Sequence, residues 1–254
     1  MGVRKLKMLL AIDIGNTNIS AAVFSAKQAL KYFDISGKDY SAEKLRTKLK
    51  NLHITDTVIC SVVPALTRVL SRDLLKLTAK KPYIIGKDVI VPLKSNYRPG
   101  QLGQDRLVNA YYASVFYRLP LIIIDSGTAI TFDIISKNRT YLGGLIFPGL
   151  EMSLKSLEEK TALLPEVKLK APKRIIGVDT KSSILSGIVY GSGGLCKGIA
   201  EKIKKITGKD SMILGTGGNI GLIKKFSQIK LKTERHLTLK GIHLLYDNEI
   251  KKRG

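Results

Sequence analysis

Asp13 and Asp125 each end an apolar run and are followed at once by a small-residue turn. The first stretch is Leu9-Leu10-Ala11-Ile12-Asp13-Ile14-Gly15-Asn16-Thr17, and the second is Leu121-Ile122-Ile123-Ile124-Asp125-Ser126-Gly127-Thr128-Ala129. A strand that leaves a buried sheet and turns at glycine beside threonine presents a carboxylate, backbone N–H groups and a hydroxyl together. Those groups suit phosphate oxygens and a bridging cation, and recurrence of the pattern midway along the chain points to a nucleotide cleft between two related halves. Gly215-Thr216-Gly217-Gly218 is a third phosphate-binding candidate. Taken singly, each is equally well an ordinary turn, because Asp and Gly are common turn formers. The chain has no GxxxxGK[ST], which excludes P-loop chemistry. Gly191-Ser192-Gly193-Gly194-Leu195-Cys196 is an incomplete GxGxxG in a helical stretch, read as close helix packing.

Leu102-Gly103-Gln104-Asp105-Arg106 adds what phosphoryl transfer to a hydroxyl needs besides phosphate binding. Asp105 could take the proton, and the planar fork of Arg106 matches an acidic acceptor. Gly103 would let a ligand approach the backbone. The structural alternative is an Asp N-cap with a neighbouring surface Arg.

Positioning these groups requires a repeated order of elements. Strands are expected at 8–14, 18–24 and 29–35, then a helix capped by Ser41 through residue 50, a buried strand at 57–63 stopped by Pro64, and a helix at 65–77. Residues 92–104, with Pro92, Pro99, Gly100 and Gly103, read as a loop from which Asp105 enters a helix at 107–117. Strands at 121–125, 129–135 and 141–147 replay the opening. Helices at 149–157, 184–206 and 239–247, with a strand at 211–214, complete the second half. Three strands followed by helix-strand alternation, twice, is the ribonuclease-H-like plan, with domains at 1–118 and 119–254.

Composition bounds the class. At 254 residues and 44% hydrophobic content the chain can form two modest cores. No segment approaches the ~20 apolar residues of a membrane span. Arg4-Lys5-Leu6-Lys7 before an apolar run only imitates a secretion signal, since Asp13 stops the run, and Leu6 stands where myristoylation needs Ser or Thr. Cys60 and Cys196 form neither a CxxC site nor a disulfide framework, and His53, His236 and His243 share no zinc spacing. A cytoplasmic protein is expected. The net charge of +23, from 43 basic and 20 acidic residues, would attract polyanions. The lysines are scattered, with only short clusters such as Lys202-Ile203-Lys204-Lys205 and Lys251-Lys252-Arg253, and no nucleic-acid-binding motif accompanies them. They read as a solvated surface, and no specific nucleic acid is expected.

Several motifs in order resemble the type III pantothenate kinases of the acetate kinase, sugar kinase, heat-shock and actin superfamily. They are Asp13 to Asn18, Ser61-Val62-Val63-Pro64, Gly103 to Arg106, Asp125 to Thr131, Gly143 to Gly149, Thr161 to Pro165, Ser186 to Gly191, and Leu237 to Gly241. The resemblance implies two tandem actin-like ATPase domains and ATP-dependent phosphorylation of pantothenate, the first step towards coenzyme A. It further implies a homodimer that uses Mg2+ and a monovalent cation, K+ or NH4+. By this likeness Asp13, Ile14, Gly15, Asn16, Thr17, Asn18, Ile19 and Ser20 would bind ATP phosphates, with Asp13 near the magnesium and Thr128 also on ATP. Asp105 would be the general base. Tyr97, Gly103, Gln104, Arg106 and Thr180 would contact pantothenate, and Asp125 would hold the monovalent cation. Ser126, Ile130 and Asp179 depart from the family's frequent residues, and Asp179 would repel an acidic substrate unless turned away. Thr161 of one subunit would complete the pocket around Asp105 of the other. Two alternatives remain: a DNA-binding regulator of the same fold, and a kinase of another small hydroxy acid.

Overall fold

The computed structural model describes residues 8–98 and 100–251. The expectations placed on residues 1–7, on Pro99 and on Lys252-Arg253 lie outside them. The first ten elements run β1 Met8–Ile14, β2 Asn18–Ser25, β3 Gln28–Ser36, α1 Ala42–Lys48, β4 Ile54–Ser61, α2 Pro64–Thr78, β5 Tyr83–Ile84, α3 Gln104–Phe116, β6 Leu121–Ser126 and β7 Ala129–Ile135. Then follow β8 Tyr141–Pro148, α4 Leu150–Lys160, α5 Thr180–Thr207, β9 Met212–Thr216, α6 Ile220–Ser227, β10 Lys232–Thr233 and α7 Leu237–Leu245.

Two five-stranded sheets share one plan. In the first, β3-β2-β1 are antiparallel neighbours and β4 and β5 continue in parallel from β1. In the second, β8-β7-β6 are antiparallel, and β9 and β10 continue in parallel from β6. This is the ribonuclease-H-like arrangement, present twice.

Both faces of the first sheet are covered, which is why its central strands are nearly all apolar. Leu10, Ile12 and Ile14 of β1 pack with Leu45 of α1 and Leu70 and Leu74 of α2. The alternate residues Leu9 and Ala11 pack with Val108 and Tyr111 of α3 and Leu239, Ile242 and Leu245 of α7. In the second unit, Ile122 and Ile124 of β6 pack with Leu150, with Cys196, Ala200 and Ile203 of α5, and with Ile220 and Ile223 of α6.

Local signals account for most element ends. Ser41 Oγ accepts the Lys44 N–H at 3.1 Å and starts α1. Pro64 occupies the first turn of α2, where a missing N–H costs nothing, so β4 ends at Ser61 rather than residue 63. Helix α5 starts at Thr180 rather than 184, because Asp179 and Ser182 form a reciprocal cap. The sequence reading does not name α6, β5 or β10, which have eight, two and two residues. The chain contacts divide at residues 115–116. They return the segment from Leu237 to the first unit and place Lys94–Tyr97 with the second. The cause is the apolar face of α7, which completes the first core.

Candidate active site

In the first unit, strand alternation sets the geometry. Asp13 shares the sheet face of Leu9 and Ala11, the face that α3 and α7 cover, and Asp105 stands in the first turn of α3. Cys60 pairs in register with Asp13 on β4. Burial pushes the Cys60 thiol well up, and the negative charges of Asp13 and Asp105 push it further. Two carboxylates distant in sequence therefore act on one buried sulfur.

Asp105 Oδ1 is out of contact with solvent and accepts no hydrogen bond. Burial raises the Asp105 pKa, against the opposing pull of the Arg106 backbone N–H and guanidinium and of its own backbone N–H. A buried acceptor without a donor is costly and is a common mark of function. Gly103 makes room for it, since a β-carbon there would stand 2.5 Å from Asp105 Oδ1. Arg106 is only 8% exposed beside it. The Gln104 side chain lies against Gly86, where a β-carbon would come within 2.7 Å of its amide carbon.

In the Asp13 turn, the Gly15 N–H donates to the Asn18 carbonyl at 3.0 Å, and Asn16, Thr17 and Asn18 are exposed. Ile14 and Ile19 bury their side chains in the core, leaving only their main chain for a ligand. The Ser20 hydroxyl donates to Asp34 at 2.6 Å.

In the second unit, the Asp125 turn and the Gly215 to Gly218 run come together. Gly217 has φ +90°, and a β-carbon there would collide with Asp125 Oδ1 and the Ser126 main chain. The Asn219 N–H donates to the Ser126 carbonyl at 2.9 Å. Asp125 thus sits against a turn whose close approach only glycine permits. Thr128 is exposed, and its carbonyl accepts the Gly149 N–H at 3.1 Å. The Tyr97 ring packs edge-to-face on Tyr141 with centroids 5.7 Å apart. Thr180 is exposed at the start of α5, and Asp179 turns its carboxylate onto the Ser182 N–H at 2.8 Å. That cap holds the Asp179 pKa down.

Other motifs take structural roles. Gly193 lies where a β-carbon would meet the Phe226 and Ser227 backbone, as expected for close helix packing. His243 stacks on Phe24 at 4.3 Å, with Nε2 2.7 Å from the Ala26 carbonyl. Among the described residues no group of three or more His, Cys, Asp or Glu could hold a metal ion. Sequence reading passes over the buried Asp133–Tyr141 pair, because an Asp inside a strand and a Tyr at a strand start carry no motif.

Carboxylate-bearing turns at the ends of the central strands of two ribonuclease-H-like sheets belong to the fold class of the actin-like ATPases and sugar kinases. Solved structures share the fold. They include a putative Baf family transcriptional activator from Campylobacter jejuni, with TM-score 0.59, 22% identity, and coverage of 95% of this chain and 99% of that one. MreB 5 of Spiroplasma citri, bound to AMPPNP, has TM-score 0.51 and 11% identity over 97% and 98% of the two chains. Residues 9–202 match the family described as type III pantothenate kinase. Relatives bearing that name from a Sulfurihydrogenibium species and from Agathobacter rectalis are 39% and 35% identical. The first match covers 94% of this chain, the second 96%, and each covers 99% of the relative. The chain belongs to the type III pantothenate kinase family.

Proposed function

We propose that this protein transfers the γ-phosphoryl group of ATP to the primary hydroxyl of pantothenate. The observation that carries the reading is the Asp105 carboxylate, with one oxygen buried and unpartnered and its pKa raised by burial, on the sheet face that carries Asp13. A raised carboxylate holds a proton better, and so serves better as the base that takes the acceptor's hydroxyl proton. Arg106 pairs with the acceptor's carboxylate, and Tyr97, Gly103, Gln104 and Thr180 bound the acceptor. Gln104, packed on Gly86, acts mainly by fixing the start of α3.

Phosphoryl transfer needs in-line positioning and neutralised charge more than covalent chemistry. The main chain from Asp13 to Ser20 and the Thr128 hydroxyl hold phosphate oxygens. Magnesium near Asp13 would neutralise charge on the transferring phosphate. Asp125 holds potassium or ammonium. The protein works in the cytoplasm as a homodimer, in which Thr161 of the partner subunit borders the pocket. Exposed Leu163, Ile175, Ile176 and Val178 support that interface.

The test is ADP release measured with pantothenate against a panel of small hydroxy acids, in potassium and in sodium buffers. Pantothenate is expected to be the preferred acceptor and potassium the activating ion. A better turnover with another acid overturns the acceptor, and equal rates in the two buffers overturn the ion at Asp125.

A further inference from the structure

We propose that Tyr141 and Asp133 are positioning residues for Tyr97, and through it for the acceptor. The proposal rests on the reading of Tyr97 as an acceptor contact. Both residues are fully buried, at 0% exposure. The Tyr141 hydroxyl donates to Asp133 Oδ1 at 2.6 Å, and the Thr131 hydroxyl stands 3.5 Å from the other carboxylate oxygen. A buried carboxylate is expensive to leave short of donors, so it holds the Tyr141 side chain to the rotamer that reaches it.

Tyr141 then grips the segment Lys94–Tyr97 in two ways. Its ring carries the Tyr97 ring edge-to-face, at 5.7 Å and 71°. Its main chain makes a short parallel bridge with Ser95: the Tyr141 N–H donates to the Lys94 carbonyl at 2.8 Å, and the Asn96 N–H donates to the Tyr141 carbonyl at 3.0 Å. The Tyr97 N–H closes the strap by donating to Ser95 Oγ at 3.1 Å. These contacts lie within the second unit, whose sheet supplies a rigid base at β7 and β8. A solvent-exposed loop has no comparable means of holding an aromatic ring. The strap stands beside the glycines of β8, where a β-carbon built on Gly143 would lie 3.8 Å from the Tyr97 ring, so the ring lies over the strand with space for one carbon between them.

The experiment compares Tyr141→Phe, Asp133→Asn, Ser95→Ala, Tyr97→Ala and the double variant Tyr97→Ala/Tyr141→Phe. It measures KM for pantothenate and for ATP, kcat, pantothenate binding by equilibrium dialysis, and melting temperature. Tyr141→Phe should raise the pantothenate KM and dissociation constant several-fold by loosening Tyr97, with the ATP KM unchanged. Asp133→Asn keeps an oxygen that accepts the phenol O–H but loses the charge, and should raise the same constant less than Tyr141→Phe does. Ser95→Ala loosens the strap alone and should raise the same constant a few-fold, which keeps the proposal testable if Tyr141→Phe does not fold. In the Tyr97→Ala background, Tyr141→Phe should add nothing further. If Tyr97→Ala weakens pantothenate but neither Tyr141→Phe nor Ser95→Ala does, the positioning role is wrong and the Tyr97 reading stands. Equal rises in both KM values, or additive effects, would also overturn it. No effect of Tyr97→Ala on pantothenate removes the Tyr97 reading itself.

Discussion

At the residue scale the molecule turns on Asp105, whose raised pKa has two consequences of opposite value. Ionised Asp105 is needed to accept a proton, so kcat/KM should fall on the acid side with an apparent pKa above that of an ordinary aspartate. Keeping that carboxylate ionised also costs stability. A group whose folded pKa is raised is least costly below its unfolded pKa, and its penalty grows as pH rises through the folded value. Asp105→Asn should therefore lose ~10²–10⁴ in kcat with pantothenate binding within a few-fold. It should also melt higher than wild type near pH 7.5, with the advantage shrinking towards about pH 4 as wild-type Asp105 takes up its proton. Steady-state kinetics and melts at the two pH values check both halves. A variant keeping half its kcat, or melting lower at neutral pH, contradicts the assignment. The motif around Asp105 is legible in the sequence, but its orphaned oxygen is not, since that depends on Gly103 folding back over the carboxylate.

At the scale of elements, α5 shows how glycines that look alike differ in role. Gly193 is buried where a β-carbon would come 2.7 Å from the Phe226 carbonyl carbon, at the contact of α5 with α6, whereas a β-carbon on Gly194 meets nothing within 4 Å. Gly193→Ala should destabilise by ~1–3 kcal/mol through overpacking against backbone that cannot give way. Gly194→Ala should be neutral or stabilising by up to about 1 kcal/mol, because alanine is the better helix former. Urea unfolding of the two variants separates them, and equal effects would contradict the packing account. The helical span containing both glycines is legible from its apolar periodicity. Its start is set four residues earlier than that pattern suggests, by a polar cap that hydrophobic spacing does not report.

At the scale of the whole molecule, the proposed dimer makes a prediction independent of any one site. Thr161 is exposed where α4 ends, its hydroxyl donating to the Leu157 carbonyl at 2.7 Å, and Leu163 beyond it is 92% exposed. If Thr161 borders the partner's pocket, Asp105→Asn chains exchanged with Thr161→Asp chains should recover about a quarter of wild-type sites. Half the dimers are then mixed, and each carries one intact pocket. The readout is activity after subunit exchange verified by differently tagged chains. No recovery would mean that each pocket is built from a single chain.

The sequence alone determined the repeated ribonuclease-H-like plan, the two aspartate turns and the order of motifs that identifies the family. These are local signals: apolar runs of strand length, turn residues beside a carboxylate, and caps within a few positions. Tertiary structure decided what depends on partners far along the chain. It returned α7 to the first core because its apolar face packs with Leu9 and Val108, and it brought Gly217 onto Asp125. It also stripped Asp105 Oδ1 of both solvent and donor. Burial and the close approach of distant backbone are properties of packing, and packing is fixed only when the whole sheet and its helices are in place.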